Sequence, residues 1–259
     1  MDLQWFEYLF VVLAGFAAGY INTLAGSGSL ITLSLMLFLG IPSTIANASN
    51  RVGVLFQTMS SATNFQRQGV LDFRGSVYLA IPAVAGSIIG ARMASRLDEA
   101  LMQQVIGGIM LLMLFVILLR PKRWLEGTRA KFEGRPSFIQ LIIFFAIGVY
   151  GGFIQAGVGV FLLAGLVLSA GYNLVYANAV KTLVVLLFTI PALIIFVMEG
   201  QVDWLIGIAL AIGNATGGWF AAKMAVERGA IFVRYVLIAV VVLSAVRLLG
   251  VFDFVMGLF

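Results

Sequence analysis

Two glycine-rich stretches interrupt apolar segments in which a continuous membrane helix would otherwise be expected. The first reads AGSGS from Ala25, and the second reads AGVGV from Ala156. A glycine-rich break frees backbone N–H groups at the start of the next helix, whose partial positive charge favours an anion. In hydrocarbon such backbone is tolerated only where protein or a water-filled cavity surrounds it. The two breaks therefore predict a site for a small anion, and the alternative is a packing bend satisfied by neighbouring helices.

Two cations lie within the segments that follow these breaks. Arg51 belongs to the unusually polar segment STIANASNRVGVLFQTMSSATNFQ, and Lys181 belongs to its counterpart later in the chain. An ionisable residue within a membrane span is costly and by default marks a functional site facing the bundle interior. The alternative is that both cations lie near helix starts and extend to the membrane interface. The polar residues that share their helix sides include Asn47, Asn50, Asn178 and Thr182.

Carboxylates are absent from the middle of the apolar segments. All 11 Asp and Glu residues lie in loops or near segment ends, so no acid is placed for a proton relay or a strong cation site. Cysteine and histidine do not occur, which removes most metal sites and the usual general bases. The sequence thus favours an anionic substrate, and we expect no catalytic residue, no metal site and no cofactor.

The composition predicts an all-α polytopic membrane protein. Hydrophobic residues make up 62% of the 259 residues and charged residues 10%, with a mean hydropathy of +1.08, which a water-soluble domain could not bury. The net charge of +5 comes from basic residues in loops, where the positive-inside rule accounts for them. We therefore expect contact with membrane lipid and none with nucleic acid, and the oligomeric state stays open.

Apolar periodicity predicts ten helical segments in two sets of five. The segments are 5–24, 28–40, 44–65, 75–95, 101–119, 137–156, 159–170, 175–198, 204–222 and 231–249. The second and seventh are too short to span, and whether they cross the membrane or re-enter it stays open. Between the sets lies a linker with six basic residues. We divide the chain into a first transmembrane repeat, 1–119, a cytoplasmic linker, 120–136, and a second transmembrane repeat, 137–259.

The two sets align at a nearly constant offset, which indicates duplication. A shift of 131 positions pairs Gly26, Gly28, Gly40 and Gly69 with Gly157, Gly159, Gly171 and Gly200. Counting Lys and Arg at alternate ends places the linker inside the cell. Each half then has an odd number of crossings, so the repeats must be inverted relative to each other. Both termini are accordingly expected outside.

This arrangement resembles the sulfite exporter TauE/SafE family of membrane permeases over approximately residues 5 to 250. The shared features are the glycine-rich break, the short helix, a turn with Pro42, a polar helix with Asn50 and Arg51, and the motif GVLDF. The resemblance implies transport of sulfite, sulfonates or sulfolactate-like acids. We expect an integral protein of the prokaryotic cell (inner) membrane.

The combined prediction is a secondary transporter, not an enzyme, whose site lies where the two breaks face each other. Hydrogen bonds would come from Asn22, Gly26, Ser27, Gly28, Ser29, Gln155, Gly157, Val158 and Gly159. Arg51 and Lys181 would compensate the charge of the anion, and Asn47, Asn50, Asn178 and Thr182 would line the walls. An anion channel is the first alternative, since rings of cations also select anions. An intramembrane hydrolase using Ser27 or Ser29 with Lys181 is the second.

Overall fold

The structure is a computed structural model that describes residues 4–118 and 135–248. Every regular element within these ranges is an α-helix. In chain order they are α1 (Trp5–Ala25), α2 (Ser29–Phe38), α3 (Ser43–Arg67), α4 (Phe73–Ser95), α5 (Glu99–Leu118), α6 (Phe138–Phe153), α7 (Val158–Leu168), α8 (Leu174–Met198) and α9 (Trp204–Leu248). The all-α prediction is confirmed. The predicted linker 120–136 lies almost entirely outside the described residues, as does the end of the last predicted helix at 249.

Four of these helices are long and apolar enough to cross a membrane: α1, α4, α8 and the part of α9 from Trp204 to Val233. Helix α3 is 25 residues long, but its many polar residues keep it out of this group. Large apolar side chains of α1 face outward, among them Trp5, Leu9, Phe10 and Leu13. The chain is therefore a polytopic membrane protein in which the polar helix is held inside and apolar faces point outward.

The boundaries of the last two predicted helices differ from the structure. We expected a loop between 222 and 231, but α9 runs from Trp204 to Leu248 with Gly229 as its non-helical residue, at φ 72° and ψ −172°. Glycine accepts this left-handed φ without the steric penalty that a side chain imposes. One residue therefore changes the chain direction, and helix follows immediately on both sides of it.

The backbone repeats with the offset found in the sequence. Six glycines with positive φ form three pairs 131 residues apart: Gly26 and Gly157, Gly40 and Gly171, Gly69 and Gly200. Each pair lies at the end of corresponding segments, namely α1 and the loop after α6, α2 and α7, and α3 and α8. Corresponding turns of the two halves thus share one backbone conformation.

Helix packing repeats as well. The most extensive packing of α1 is against α9, and that of α6 is against α4. A Cβ added to Gly213 would lie 2.0 Å from the Val12 carbonyl oxygen, and one added to Gly86 would lie 2.2 Å from that of Phe145. Only glycine permits such close helix contact, as is common for small-residue faces in membranes.

One end of the bundle, here called the basic end, gathers the loops that carry most of the described basic residues. The Tyr172 hydroxyl in the α7–α8 loop donates to the Asp72 carboxylate at 2.6 Å. The Asn64 amide near the end of α3 donates to the Trp219 carbonyl of α9 at 2.9 Å. The basic residues in or beside these segments are Arg67, Arg74, Lys223 and Arg228.

The opposite end gathers the remaining connections. The Gln201 amide, after α8, donates to the Ser95 carbonyl at the end of α4 at 2.9 Å. The Glu99 carboxylate, at the start of α5, accepts hydrogen bonds from the first N–H groups of α3, at Ser43 and Thr44. Helix α3 and the part of α9 before Gly229 therefore run toward the basic end, while α4 and α8 run away from it. Helix α1 runs parallel to α9 and α6 runs parallel to α4, so each of these helices is antiparallel to its counterpart.

Candidate functional site

The two glycine-rich breaks touch each other inside the bundle. Helix α1 continues through Ala25, and only residues 26–28 separate it from α2, while residues 154–157 separate α6 from α7. The first break is shorter than the glycine-rich stretch AGSGS, because Ala25 and Ser29 are helical, and the second break ends before the stretch AGVGV does, because α7 already begins at Val158. A Cβ added to Gly26 would lie 2.2 Å from the carbonyl carbon of Gly159. The two chain segments therefore meet backbone to backbone.

Arg51 of α3 binds the C-terminal end of α6. Its guanidinium donates to the carbonyls of Gly151 at 3.0 Å, Gly152 at 2.7 Å and Phe153 at 3.3 Å. These are among the last carbonyls of α6, to which no N–H group of the same helix donates a hydrogen bond. The guanidinium also lies 4.6 Å from the ring centroid of Phe196, at cation–π distance. Arg51 therefore caps the broken helix of the other half.

Lys181 of α8 does the same for α1. Its Nζ donates to the carbonyls of Asn22 at 2.8 Å and Thr23 at 2.7 Å, and to Oδ1 of Asn178 at 2.7 Å. The negative end of the α1 dipole lies at these carbonyls, which favours a cation. In both halves, a cation on the long helix that follows the break thus binds the end of the broken helix of the opposite half.

The burial of these cations bears on the second alternative considered from sequence, in which they extend to the membrane interface. Arg51 is 0% exposed and Lys181 is 2% exposed. They lie about 10–12 Å along their helices from the first helical residue, at 1.5 Å per residue. Both side chains end on interior carbonyls, so neither extends to a membrane interface.

A small polar cavity lies between the two halves. Its volume of about 10 Å³ is near the minimum that holds one water molecule. It lies near the middle of α3 and α8 along their length. The lining residues are Asn22, Gln57, Thr58, Gln155, Val158, Gly159, Lys181, Thr182 and Val185.

Amide and hydroxyl groups of the cavity wall form two matching bridges. Gln57 Nε2 donates to Thr23 Oγ1 at 3.1 Å, and Gln155 Nε2 donates to Thr189 Oγ1 at 2.8 Å. Asn22 Nδ2 in turn donates to Gln57 Oε1 at 2.8 Å. Gln155 Oε1 is buried and has no hydrogen-bond partner among the described atoms. Rotation of this amide by half a turn would exchange the positions of its oxygen and its NH₂ group. Gln155 can therefore present either a hydrogen-bond acceptor or a donor to a bound molecule.

Six of the predicted site residues line the cavity: Asn22, Gln155, Val158, Gly159, Lys181 and Thr182. Two others touch this group from outside. Gly26 lies against Gly159, and Asn178 accepts a hydrogen bond from Lys181. The breaks and α8 thus supply most of the wall.

The remaining predicted site residues do not line the cavity. They are Ser27, Gly28, Ser29, Asn47, Asn50, Arg51 and Gly157. Asn47 Nδ2 donates to the Phe153 carbonyl at 3.1 Å and so joins Arg51 at the end of α6. Asn50 Oδ1 accepts a hydrogen bond from Thr32 of α2 at 2.7 Å. The first half of α3 therefore contacts α6 and α2 and does not line the cavity.

Three lining residues were not among the predicted site residues. Gln57 and Thr58 belong to the polar stretch of α3, and their position one to two turns after Arg51 was a usable signal. Val185 lies one turn after Lys181, but an apolar residue in an apolar helix gives no signal. Among the described residues, no cluster of three or more His, Cys, Asp or Glu could hold a metal ion.

Comparison with known proteins decides the family. The model of the family described as Sulfite exporter TauE/SafE matches residues 11–248. The chain belongs to this family. The resemblance noted from the sequence is thereby confirmed over almost the whole chain.

Curated relatives from this comparison bear transporter names. The chain is 26% identical over 249 residues to the probable membrane transporter protein ORF9 of Sinorhizobium, covering 96% of this chain and 95% of that protein. It is 25% identical over 232 residues to the probable membrane transporter protein YfcA of Escherichia coli, covering 90% and 86%. For YdhB of Bacillus subtilis the identity is 24% over 216 residues, covering 83% and 87%. No solved structure matches the chain. Family and names together support a membrane transporter.

Proposed function

We propose that this chain is a secondary transporter that moves a small anion, such as sulfite, a sulfonate or a related organic acid, across the membrane. One observation carries the proposal: Lys181, whose ammonium is buried against the end of α1, is one of the residues that line a cavity between the two halves. A buried cation stabilises an anion far more in this setting than in water, because the local dielectric constant is low. The amides of Asn22, Gln57 and Gln155 add hydrogen-bonding groups beside it.

Anion binding must rearrange the hydrogen bonds of Lys181. An ammonium has three N–H donors, and three protein oxygens already lie within 2.8 Å of Nζ. The carbonyls of Asn22 and Thr23 are held in α1, whereas Asn178 offers a side chain that can rotate. We expect the anion to replace Asn178 Oδ1 and to leave the ammonium bound to the end of α1.

The cavity must also open. A volume near that of one water cannot contain sulfite or a sulfonate, so binding requires the surrounding helices to separate. The antiparallel direction of corresponding helices supports an inverted repeat, in which one half moves against the other around a central site. A carrier cycle, in which this small cavity widens to bind the anion, is consistent with its volume.

We place the protein in the prokaryotic cell membrane with its basic end inside and both termini outside. The basic end carries Arg67, Arg74, Lys223 and Arg228, while the opposite end carries Arg92 and Arg96. Reporter fusions after Phe259 and within the linker 120–136 test this orientation. A cytoplasmic reporter signal after Phe259 would contradict it.

Flux measurements test the transport function. Purified protein in liposomes should take up radiolabelled sulfite, methanesulfonate or isethionate with a rate that saturates and rises when unlabelled anion is preloaded. Protein-free liposomes are the control. Flux that grows linearly with concentration, without stimulation by preloaded anion, would instead indicate a channel. Absence of uptake for every small anion would contradict the proposal.

A further inference from the structure

We infer that the Lys181 ammonium permanently occupies a monovalent cation site at the end of α1 and thereby replaces a metal co-ion in transport. The inference deepens the proposed function, on which its transport consequence rests. The oxygen site itself can be tested without any transport assay.

The surroundings of Lys181 Nζ have the chemistry of a cation site. Two main-chain carbonyls, of Asn22 and Thr23, and the amide oxygen of Asn178 lie 2.7–2.8 Å from Nζ. These three oxygens carry no formal charge, which suits a monovalent ion better than a divalent one. They stand at the negative end of the α1 dipole, deep within the protein.

In transporters with broken helices, the C-terminal ends of the half-helices often hold the coupling cation. Here both such ends are already occupied by side chains. Lys181 binds the end of α1, and Arg51 binds the carbonyls of Gly151, Gly152 and Phe153 at the end of α6. A sodium or potassium ion at either end would have to displace a covalently attached cation.

The position of Lys181 gives the occupied site a second role. The ammonium binds the end of α1, and Lys181 also lines the cavity, so this side chain can join a bound anion to the helix end. A co-transported metal ion would make the same connection but would have to be bound and released in every cycle. Wild-type transport should therefore be independent of Na⁺ and K⁺.

Removal of the side chain should expose the oxygen site to small cations. The variant Lys181→Ala should melt at a higher temperature in ammonium or potassium chloride than in choline chloride of equal concentration, by about 3 °C or more at concentrations above the dissociation constant. Choline is too large to enter. Wild type should melt at one temperature in all of these salts.

Two further variants control for the site. Lys181→Met fills the space with an apolar chain of similar length and should show no difference between the salts. Lys181→Ala combined with Asn178→Leu removes one oxygen and should lose most of the gain. If Lys181→Ala yields folded protein only when purified in ammonium or potassium salts, that outcome also supports the site. Equal melting temperatures of Lys181→Ala in every salt, or an equal gain in Lys181→Met, would overturn it.

Uptake into liposomes tests the transport consequence separately. Wild-type uptake should be unchanged when choline replaces Na⁺ and K⁺, whereas a strict requirement for either metal ion would overturn the inference. If wild type moves no anion at all, the proposed function fails, but the melting experiment still decides whether the oxygen site exists.

Discussion

The ends of the two broken helices are capped in the same manner but by different cations. At the end of α6, Arg51 uses its planar fork to bind three carbonyls and packs on Phe196, entirely away from the cavity. At the end of α1, Lys181 binds two carbonyls and also lines the cavity. A guanidinium offers five donors in a rigid arrangement, whereas an ammonium is a compact charge that can redirect its bonds.

This difference suits two corresponding positions to different roles. Both cations bind carbonyls at the end of a broken helix, where backbone acceptors inside a membrane need donors from outside the helix. Only the cation next to the cavity can also bind a substrate. We therefore expect Arg51 to matter mainly for stability and Lys181 mainly for anion affinity.

The backbone contact between Gly26 and Gly159 should be the feature whose mutation destabilises the protein most. Gly26→Ala should lower the free energy of unfolding by about 4 kcal/mol, because the new Cβ meets the Gly159 backbone and the residue has φ 80°. Denaturant unfolding in detergent measures the loss. Gly69→Ala is the matched control: it has φ 72° with no atom within 4 Å of the added Cβ, so about 1–2 kcal/mol is expected. Equal losses in the two variants would exclude a close contact between the breaks.

The second-largest effect is expected at the α6 end. Arg51→Gln should lower the free energy of unfolding by about 3 kcal/mol, since buried carbonyls lose charged donors. Anion affinity in the folded fraction should change by less than about threefold, because Arg51 does not line the cavity. Arg51→Lys, which keeps the charge without the fork, should be intermediate in stability. A large loss of affinity with normal stability would place Arg51 in the binding site after all.

At the α1 end the larger effect should be on binding. Lys181→Gln should weaken anion affinity by about 10- to 100-fold, because a charge-assisted hydrogen bond contributes about 1.5–3 kcal/mol. Competition for uptake in liposomes measures the affinity. Lys223→Gln is the control, since Lys223 is exposed and forms a surface ion pair with Glu227 at 3.6 Å. Wild-type affinity in Lys181→Gln would remove the main reason for an anionic substrate.

The smallest expected effect concerns Gln155, whose side-chain oxygen has no hydrogen-bond partner among the described atoms. Gln155→Leu should weaken anion affinity by about fivefold, which corresponds to about 1 kcal/mol for one neutral hydrogen bond. Gln201→Leu removes a comparable amide that binds Ser95 outside the cavity and should leave affinity unchanged. If both variants weaken binding equally, Gln155 has no special role at the site.

Much of the fold could be predicted because apolar periodicity and glycine placement are local signals. Apart from the loop expected before Gly229, each helix end lies within three residues of the prediction. The pairing of Gly26 with Gly157 was visible as a constant offset, and the structure gives both residues positive φ. The helix before Gly229 was predicted to end too early because Lys223, Glu227 and Arg228 are charged, although only Gly229 leaves the helical conformation.

The candidate site was less accessible to sequence reasoning, since it depends on which helix faces which. Arg51 and Lys181 occupy nearly equivalent places in the two halves, and nothing in the sequence reveals that the α6 carbonyls keep Arg51 from the cavity. Gln57 gave a polar signal, whereas Val185 gave none. Only the packing of α3 against α8 determines which of their residues line the cavity.

The backbone contact between Gly26 and Gly159 also limits how the two halves can diverge. A carbon added at either position meets main chain of the other, which no change of side chain can move aside. A compensating second mutation is therefore not available at the neighbouring positions. Random mutagenesis with selection for folded protein should recover glycine at both positions, even while the surrounding residues of the two copies drift apart.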